Sequence, residues 1–575
     1  MTDVALDDTA PSTPTSAGAI RVRRTVRALE RFAWPACCLL MASWAIAYLG
    51  WPFSSDQGVL SWVGRTIAEG GMPYRDAWEI RGPAPYLVYA VIARVFGAAQ
   101  WPLRALDLSI LATGAWCVAS IAAAFGGRLA GRVAVVLYVL WFASLGHHDT
   151  AQSDGWNAAM MTAVALCMLA NRGSPRARHA AIAGVLIGLS IVSKPPYAAF
   201  VLLPAIVGVA QVSRRGAPWL VRFWVAGATA VVASAGAVLF WLYRGGAMDA
   251  FIDIHIRWLL ARYTDVESGW LNRVQTTGVF LTAGIVATAV APAILGFVAV
   301  RRRDRGYAAV LLAWVGCALL TVMAQGNFYP YHWHPLYPAL ATLAGIGIAL
   351  IFHAPRQPND ETPNVIGTAV AAAAVGAAAL LPVVHVYRAA FLLVGIFSRE
   401  RYDAVEFGPY GTTGLFTRLA DYFRTHTSPD ETVLVWGSVP NVYYTSERHA
   451  PTRFGYTAPL VNPQDDEFRR RYREEFLAGL NAKPPAYIAT LSPAVCAYAR
   501  NVDQRRIIGR AAERMRCVDE LPALPAFIAD RYAADTTMGP IVVYRRRELP
   551  PHSGAGAASA SPTQPTVATQ PPFTR

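Results

Sequence analysis

A short polar segment directly follows the first long apolar stretch of the chain. Residues 54–85 read SSDQGVLSWVGRTIAEGGMPYRDAWEIRGPAP, within a neighbourhood that is otherwise mostly apolar. The segment carries carboxylates interspersed with arginines, namely Asp56, Glu69, Asp76 and Glu79 with Arg65, Arg75 and Arg81. Such side chains can exchange protons and bind anions. At a membrane surface they cost solvation free energy, so their presence there indicates a site that requires them. The pattern predicts a functional site, and a solvated loop between two membrane helices is the alternative.

The composition indicates that membrane helices must position this segment. Of the 575 residues, 54% are hydrophobic and only 15% are charged, with a mean hydropathy of +0.32. A soluble protein would carry about 25% charged residues, and many apolar runs here approach the ~20 residues that cross a bilayer. The formal charge of +14 lies mainly in short loops between these runs. That is the positive-inside pattern, and it does not indicate a nucleic-acid partner.

The apolar runs predict an α-helical polytopic protein with about eleven transmembrane helices. A disordered and basic cytoplasmic N-terminus, 1–31, precedes the first span at 32–51, which we interpret as an uncleaved helix and not as a signal peptide. The apolar but short segment 84–97 is predicted to lie along the interface. With the N-terminus inside, Arg-rich loops fall on the cytoplasmic side, and acidic, His-rich and aromatic loops fall outside. The later spans are predicted near 103–125, 129–146, 155–171, 179–194, 196–213, 220–243, 276–300, 307–324, 335–353 and 364–387.

A second domain follows the membrane domain, which occupies 32–387. Residues 388–548 are less apolar and predict a soluble α/β domain on the outer face, with a helix at 415–423 and strands at 431–436, 486–490 and 540–544. The tail at 549–575 is rich in Pro, Ser, Ala and Thr and is predicted to be disordered. Cys496 and Cys517 are the cysteines of the outer domain, and an oxidising compartment predicts that they pair.

Motifs in the opening segment carry a family resemblance. They are Asp56-Gln57-Gly58, Gly71-Met72-Pro73-Tyr74-Arg75-Asp76 and Arg81-Gly82-Pro83. The chain resembles bacterial GT-C-fold glycosyltransferases, most of all the branch related to protein O-mannosyltransferases and to the lipid A aminoarabinose transferase. The resemblance covers residues 32–350 and continues through Arg104, the Asp154 loop, Lys194-Pro195-Pro196 and 331–338. Many members have Asp-Glu where this chain has Asp56-Gln57, so the acid of the second position is missing here.

The resemblance implies transfer of a sugar from a polyprenyl phosphate, which needs a base for the acceptor hydroxyl and positive charge for the departing phosphate. Asp56 is the implied base, with a helix cap as the alternative. Arg81 and Lys194 are the implied phosphate-binding residues, with interfacial snorkelling as the alternative. The base and the phosphate-binding groups are expected to lie a sugar's width apart. The implied substrate pocket contains Asp76, Glu79, Tyr331 and His332, although an aromatic belt would also explain the last two.

A divalent metal ion is a further expectation. Asp154 and His148 lie in the second outer loop, and together with Asp56 they could bind such an ion. Their spacing is not a metal signature, and helix capping and water contact are the alternatives. The cofactor requirement is otherwise open.

Together with the resemblance, these features imply a membrane glycosyltransferase of the hexosyl- or pentosyltransferase type. It would act at the outer face of the bacterial inner (plasma) membrane on a polyprenyl-phosphate-sugar, with a lipid, a glycan or a protein as acceptor. A polytopic transporter or lipid flippase is one alternative, although its ionisable sites should lie near the bilayer midplane and not at one face. A non-catalytic sensor of envelope glycans is another, because Gln57 replaces the second acid.

Overall fold

The computed structural model describes residues 17–173, 175–263, 269–352, 365–461, 467–499 and 514–549. The disorder predicted for 1–16 and 550–575 lies outside the described residues. The first helix begins at Ala17 and ends at Leu49, so it includes the basic residues that precede the first apolar run.

The membrane part is a succession of helices with short connections. A 3-10 turn, Pro195–Val201, precedes the seventh helix, a π-helical turn, Ile252–Trp258, precedes the tenth, and a second 3-10 turn, Pro330–Trp333, precedes the fourteenth. The helices are α1 (Ala17–Leu49), α2 (Ser55–Ala68), α3 (Ala84–Phe96), α4 (Trp101–Ala143), α5 (Ser153–Gly173), α6 (Ala177–Ser193), α7 (Leu202–Arg215), α8 (Ala217–Arg244), α9 (Met248–Phe251), α10 (Leu259–Tyr263), α11 (Trp270–Ala283), α12 (Ala287–Arg303), α13 (Arg305–Gln325), α14 (Leu336–Phe352) and α15 (Val365–Leu393).

The structure supports a multi-pass protein but does not confirm the count of eleven spans. Within the described ranges, six helices are long and apolar enough to cross a membrane, or seven if α11 and α12 form one bent span. The 43 residues of α4 contain a break at Gly127, whose φ of 71° is one that glycine adopts without strain. The break separates the spans predicted at 103–125 and 129–146. The single span predicted at 276–300 is not a straight helix, because α11 and α12 meet there at 93°.

The outer domain combines a four-stranded mixed sheet with short helices. The strands lie in the order β1 (Val433–Val435), β2 (Tyr487–Leu491), β4 (Ile541–Arg546) and β3 (Tyr532–Met538), with β1 and β2 parallel and the other pairs antiparallel. The sequence predicted β1, β2 and β4 but missed β3, an edge strand that is largely exposed and polar. The helices of this domain are α16 (Arg399–Glu406), α17 (Leu415–His426), α18 (Asn441–Ser446), α19 (Ala458–Val461), α20 (Glu467–Ala482), α21 (Pro493–Ala499) and α22 (Ala523–Arg531).

A disulfide joins two parts of the outer domain. Cys496 in α21 is bonded to Cys517, and their Cα atoms are 5.7 Å apart. The predicted pairing is confirmed.

The opening polar segment and the outer domain share one hydrophobic core. Trp62 of α2 and Trp78 belong to the same buried cluster as Trp436 and Tyr443 of the outer domain. Gly58 of α2 approaches α18 so closely that an added Cβ would lie 2.6 Å from the Asn441 Cβ. The outer domain therefore takes part in positioning the segment 54–85.

Candidate active site

Helix α2 presents Asp56 in its first turn. Ser54 caps the helix, and Gln57 Oε1 accepts a hydrogen bond from the Ser54 backbone N–H at 2.8 Å. The positive end of the helix dipole stabilises a negative charge in this turn. Asp56 Oδ2 lies 3.2 Å from Arg81 Nη2 and accepts a hydrogen bond from Gln152 Nε2 at 3.2 Å. The carboxylate is 32% exposed, so it is held in place and still reachable by a substrate hydroxyl.

Arg81 is held by a second carboxylate. Its Nη1 lies 3.0 Å from Oε1 of Glu79, whose side chain is 1% exposed, and its backbone N–H donates to the same oxygen at 3.2 Å. Burial opposes the charge of the guanidinium, but Glu79 and Asp56 raise the pKa of Arg81 overall, so it stays protonated. Gly82 packs against the end of α6, where an added Cβ would lie 2.2 Å from the Val192 carbonyl oxygen. The absence of a side chain at Gly82 thus allows Arg81 to lie beside the end of that helix.

Lys194 follows the last residue of α6 and forms a second ion pair. Its Nζ lies 2.7 Å from Oδ2 of Asp154 at the start of α5, and the Asp154 side chain is 1% exposed. The Tyr197 hydroxyl donates to the other carboxylate oxygen at 3.4 Å. Lys194 also lies over the ring of Tyr331, with Nζ 5.5 Å from the centroid.

The charged groups of both ion pairs influence the pKa of the Tyr331 hydroxyl. Burial raises the pKa of this phenol, and the negative charges of Asp56 and Asp154 raise it further, while the positive charge of Arg81 opposes the rise. His332 packs edge-on against Tyr331, with ring centroids 4.7 Å apart. Burial lowers the pKa of His332 to about 3, so the imidazole is neutral at pH 7. Tyr331 therefore lies beside Lys194 and within electrostatic reach of the Asp56–Arg81 pair.

The structure brings most of the predicted site residues together but changes their arrangement. Asp56 and Arg81 are in direct contact, so the expected separation by a sugar's width is wrong in this structure. Asp76 forms local contacts instead, because its carboxylate pairs with Arg75 at 2.7 Å and accepts from the Met72 backbone N–H at 2.7 Å. These bonds close a turn, and the carboxylates of the segment that contact Arg81 are those of Asp56 and Glu79.

Two supporting residues were missed by the sequence reading. Gln152 is one, because nothing in its local sequence indicates a contact with Asp56. The other is Asp107 in α4, which accepts from Trp156 Nε1 at 2.7 Å and from the Ala151 backbone N–H at 3.1 Å. A carboxylate inside an apolar run is a recognisable functional or structural signal. Through these two hydrogen bonds, Asp107 holds the loop that carries Gln152 and leads to Asp154.

Asp149 is a further carboxylate within electrostatic reach of Asp56. Burial, with a smaller effect from the negative charge of Asp56, raises the pKa of Asp149 to about 6. It is therefore partly protonated at slightly acidic pH.

The contacts of Gln57 explain why an amide, and not the acid of an Asp-Glu pair, follows Asp56 in this chain. The side chain is fully buried, and its Nε2 donates to the carbonyl oxygens of His147 at 2.9 Å and Thr150 at 2.5 Å. An ionised carboxylate has no hydrogen to donate, so it would face these oxygens with repulsion. The amide therefore joins the start of α2 to the loop that positions Gln152.

We expect Gln57→Glu to destabilise the protein at neutral pH by about 1–3 kcal/mol, the usual cost of an unsatisfied buried polar group. The carbonyl oxygens favour the protonated form and raise the pKa of the new carboxyl group in the folded state. In this variant, the contribution of the protonated carboxyl group to the free energy of unfolding is fully present below the unfolded-state pKa of about 4.3. It is lost as the pH rises through the folded-state pKa. Thermal unfolding in detergent at pH 5 and pH 8 measures this difference. Gln57→Met is the control, with a loss that is independent of pH, and a pH-independent Gln57→Glu would contradict the assignment.

The described residues do not fit the expected metal site. Asp154 is paired with Lys194, and the His148 ring packs against His147 with centroids 4.0 Å apart. In the part of the chain that the structure describes, no group of three or more His, Cys, Asp and Glu side chains could hold a metal ion. We therefore derive no step through a metal.

Comparisons with known proteins give matches in structure only. No protein-family model matches the chain, and no curated protein matches its sequence. The crystal structure of ArnT from Cupriavidus metallidurans bound to undecaprenyl phosphate matches with a TM-score of 0.54 at 15% identity, covering 89% of this chain and 98% of ArnT. ArnT in the apo state gives 0.53 at 14% identity, covering 89% and 97%. Archaeal oligosaccharyltransferase AglB from Archaeoglobus fulgidus, in complex with an inhibitory peptide and a dolichol-phosphate, gives 0.45 at 11% identity, covering 91% and 75%.

The ArnT matches test the fold that the motifs predicted. They extend over nearly the whole of both chains, so they include the membrane helices and the outer domain together. At 15% identity they establish the fold alone. The chain therefore has the GT-C fold of ArnT, the lipid A aminoarabinose transferase, as its sequence motifs predicted.

Proposed function

We propose that the chain is a membrane glycosyltransferase that takes its sugar from a polyprenyl-phosphate donor. The observation that carries this proposal is the meeting of two ion pairs, Asp56–Arg81 and Asp154–Lys194, around Tyr331. The site thus combines a reachable carboxylate with two cations. The ArnT crystal structure with the same fold is bound to undecaprenyl phosphate, which supports a lipid phosphate as the ligand.

The proposed reaction is a single displacement at the anomeric carbon. Asp56 accepts the proton of the acceptor hydroxyl as the oxygen forms its bond to that carbon. The bond from the anomeric carbon to the lipid phosphate breaks, and its electron pair leaves on the phosphate oxygen. Arg81 and Lys194 stabilise the negative charge of the departing lipid phosphate. Attack from the face opposite to the leaving group inverts the configuration.

The contact between Asp56 and Arg81 couples donor binding to the base. A lipid phosphate competes with Asp56 for the Arg81 guanidinium, which keeps Glu79 as a partner on its other nitrogen. When Arg81 turns to the phosphate, the Asp56 carboxylate is released from its ion pair and can accept a hydrogen bond from the acceptor hydroxyl. The arrival of the donor then frees the base for the acceptor.

The transferred sugar is proposed to be a hexose or a pentose, and the acceptor a lipid, a glycan or a protein. Tyr331, His332 and Glu79 are the proposed pocket residues. A transporter or flippase is less well supported, because the paired charges lie in connections and at helix ends: Asp56 at the start of α2, Asp154 at the start of α5 and Lys194 after α6. Mass spectrometry of glycolipids and envelope glycans in a deletion strain tests the function. Loss of one glycosylated species, restored by the wild-type gene, supports it, and an unchanged profile contradicts it.

The proposed location is the bacterial inner membrane, with the outer domain on the periplasmic or extracellular side. We expect a cysteine at the exposed Asp430 of the outer domain to react with a membrane-impermeant maleimide from outside. A cysteine at the exposed Arg302, at the end of α12, should react only after permeabilisation. The unmodified chain is the control, because its free cysteines all lie in helices and its outer pair is bonded. The reverse labelling pattern would overturn the topology.

A further inference from the structure

A loop of the outer domain reaches the opening polar segment beside Arg81. The Arg453 carbonyl accepts a hydrogen bond from the Trp78 backbone N–H at 2.7 Å, and Arg453 Nη1 donates to the Tyr74 carbonyl at 3.0 Å. Gly455 packs on the indole of Trp62, where an added Cβ would lie 2.6 Å from the ring. These contacts fix the path of the loop just before Tyr456.

Tyr456 contacts the carboxylate that holds Arg81. Its hydroxyl donates to Oε2 of Glu79 at 2.8 Å, while Oε1 of Glu79 accepts from Arg81 Nη1 at 3.0 Å. The Glu79 side chain is 1% exposed, so water cannot readily replace a lost donor. The order of contacts is therefore Tyr456, Glu79, Arg81 and Asp56, from the outer domain to the base.

We propose that Tyr456 is a positioning residue through which the outer domain holds Arg81 in place for the lipid phosphate. This inference rests on the proposed function, because it assigns Arg81 to that phosphate. A buried carboxylate that loses a donor on one oxygen is less stable as an anion, and its ion pair with Arg81 weakens. Arg81 then has more freedom, and Asp56 becomes its main remaining partner. The outer domain is in this way a part of the donor site and not an accessory module.

Tyr456→Phe isolates the hydrogen bond from the packing. The aromatic ring stays against Trp78, whose centroid lies 5.7 Å away, and only the hydroxyl is removed. Tyr444→Phe is the matched control. The Tyr444 hydroxyl also joins the outer domain to the membrane part, by donating to the Gly97 carbonyl at 2.7 Å. Each variant loses one tyrosine hydrogen bond between the same two parts of the chain, but only the bond of Tyr456 goes to a carboxylate that contacts Arg81.

The experiment uses the full chain in detergent and undecaprenyl phosphate as the probe, with affinity measured by titration. We expect Tyr456→Phe to weaken binding about 10-fold, as for loss of a hydrogen bond to a charged group, and Tyr444→Phe to leave it unchanged. In transfer assays, the donor KM of Tyr456→Phe should rise while kcat changes little. In an Arg81→Ala background the Tyr456→Phe effect should disappear, because its only route to the phosphate is gone.

Different outcomes separate this inference from the proposed function. If Arg81→Ala binds undecaprenyl phosphate as tightly as the wild type, the phosphate role of Arg81 is wrong and this inference fails with it. If Arg81→Ala binds weakly while Tyr456→Phe binds normally, only the positioning role is wrong. Equal losses in Tyr456→Phe and Tyr444→Phe, or a Tyr456→Phe loss that persists in the Arg81→Ala background, would show a general docking effect and would also overturn it.

Discussion

Asp56→Asn is expected to abolish sugar transfer while the protein remains folded and still binds its lipid phosphate. Asparagine keeps the shape of the side chain and can accept the Gln152 hydrogen bond, but it cannot act as a base. A lost general base lowers kcat by about 100-fold or more. Because the substitution also removes a competitor for Arg81, affinity for undecaprenyl phosphate should be equal to or higher than that of the wild type.

Transfer rates and titrations on purified protein measure the two effects separately. Asp76→Asn is the matched control, since it makes the same change in the same segment at a carboxylate that contacts Arg75 and the Met72 backbone. It should keep transfer. In the deletion strain, Asp56→Asn should fail to restore the missing glycosylated species. If Asp56→Asn turns over normally, Asp56 is not the base. If the variant binds undecaprenyl phosphate more weakly than the wild type, Asp56 and the phosphate do not compete for Arg81.

Lys194→Ala is expected to destabilise the fold as well as the donor site. The substitution leaves Asp154, which is 1% exposed, without its cation. Breaking a buried ion pair by removing one partner costs about 3–5 kcal/mol. A large fall in the midpoint of thermal unfolding in detergent should reveal this cost. Weaker lipid binding by this variant alone therefore cannot be assigned to a lost phosphate contact.

A double variant separates the two roles of Lys194. Lys194→Met with Asp154→Asn removes both charges and keeps the approximate volumes, so much of the stability should return. If the double variant is stable but binds undecaprenyl phosphate weakly, Lys194 contributes to the phosphate site. If Lys194→Ala melts like the wild type, the ion pair is not structural, and the destabilisation that we expect is wrong.

The sequence by itself determined the class of protein, the motifs and much of the secondary structure. Hydropathy, charge and strand composition are local properties, so they indicate membrane helices, the strands β1, β2 and β4 and the basic loops directly. The disulfide followed from the presence of only two cysteines in the outer domain. The resemblance that the motifs carry also named Asp56, Arg81 and Lys194 as candidates, and their residue types can exchange protons and hold phosphate.

Only the tertiary structure decided which of these residues contact one another. The sequence gives no sign that α11 and α12 meet at 93°, because a bend between two apolar runs leaves their hydropathy unchanged. It places Asp56 and Arg81 in one segment, but their direct contact depends on how Gly82 packs against α6. Tyr456 lies far along the chain from Glu79, and the bond between them exists because the two domains share one core. Pairings over such distances are fixed by packing, which no local pattern records.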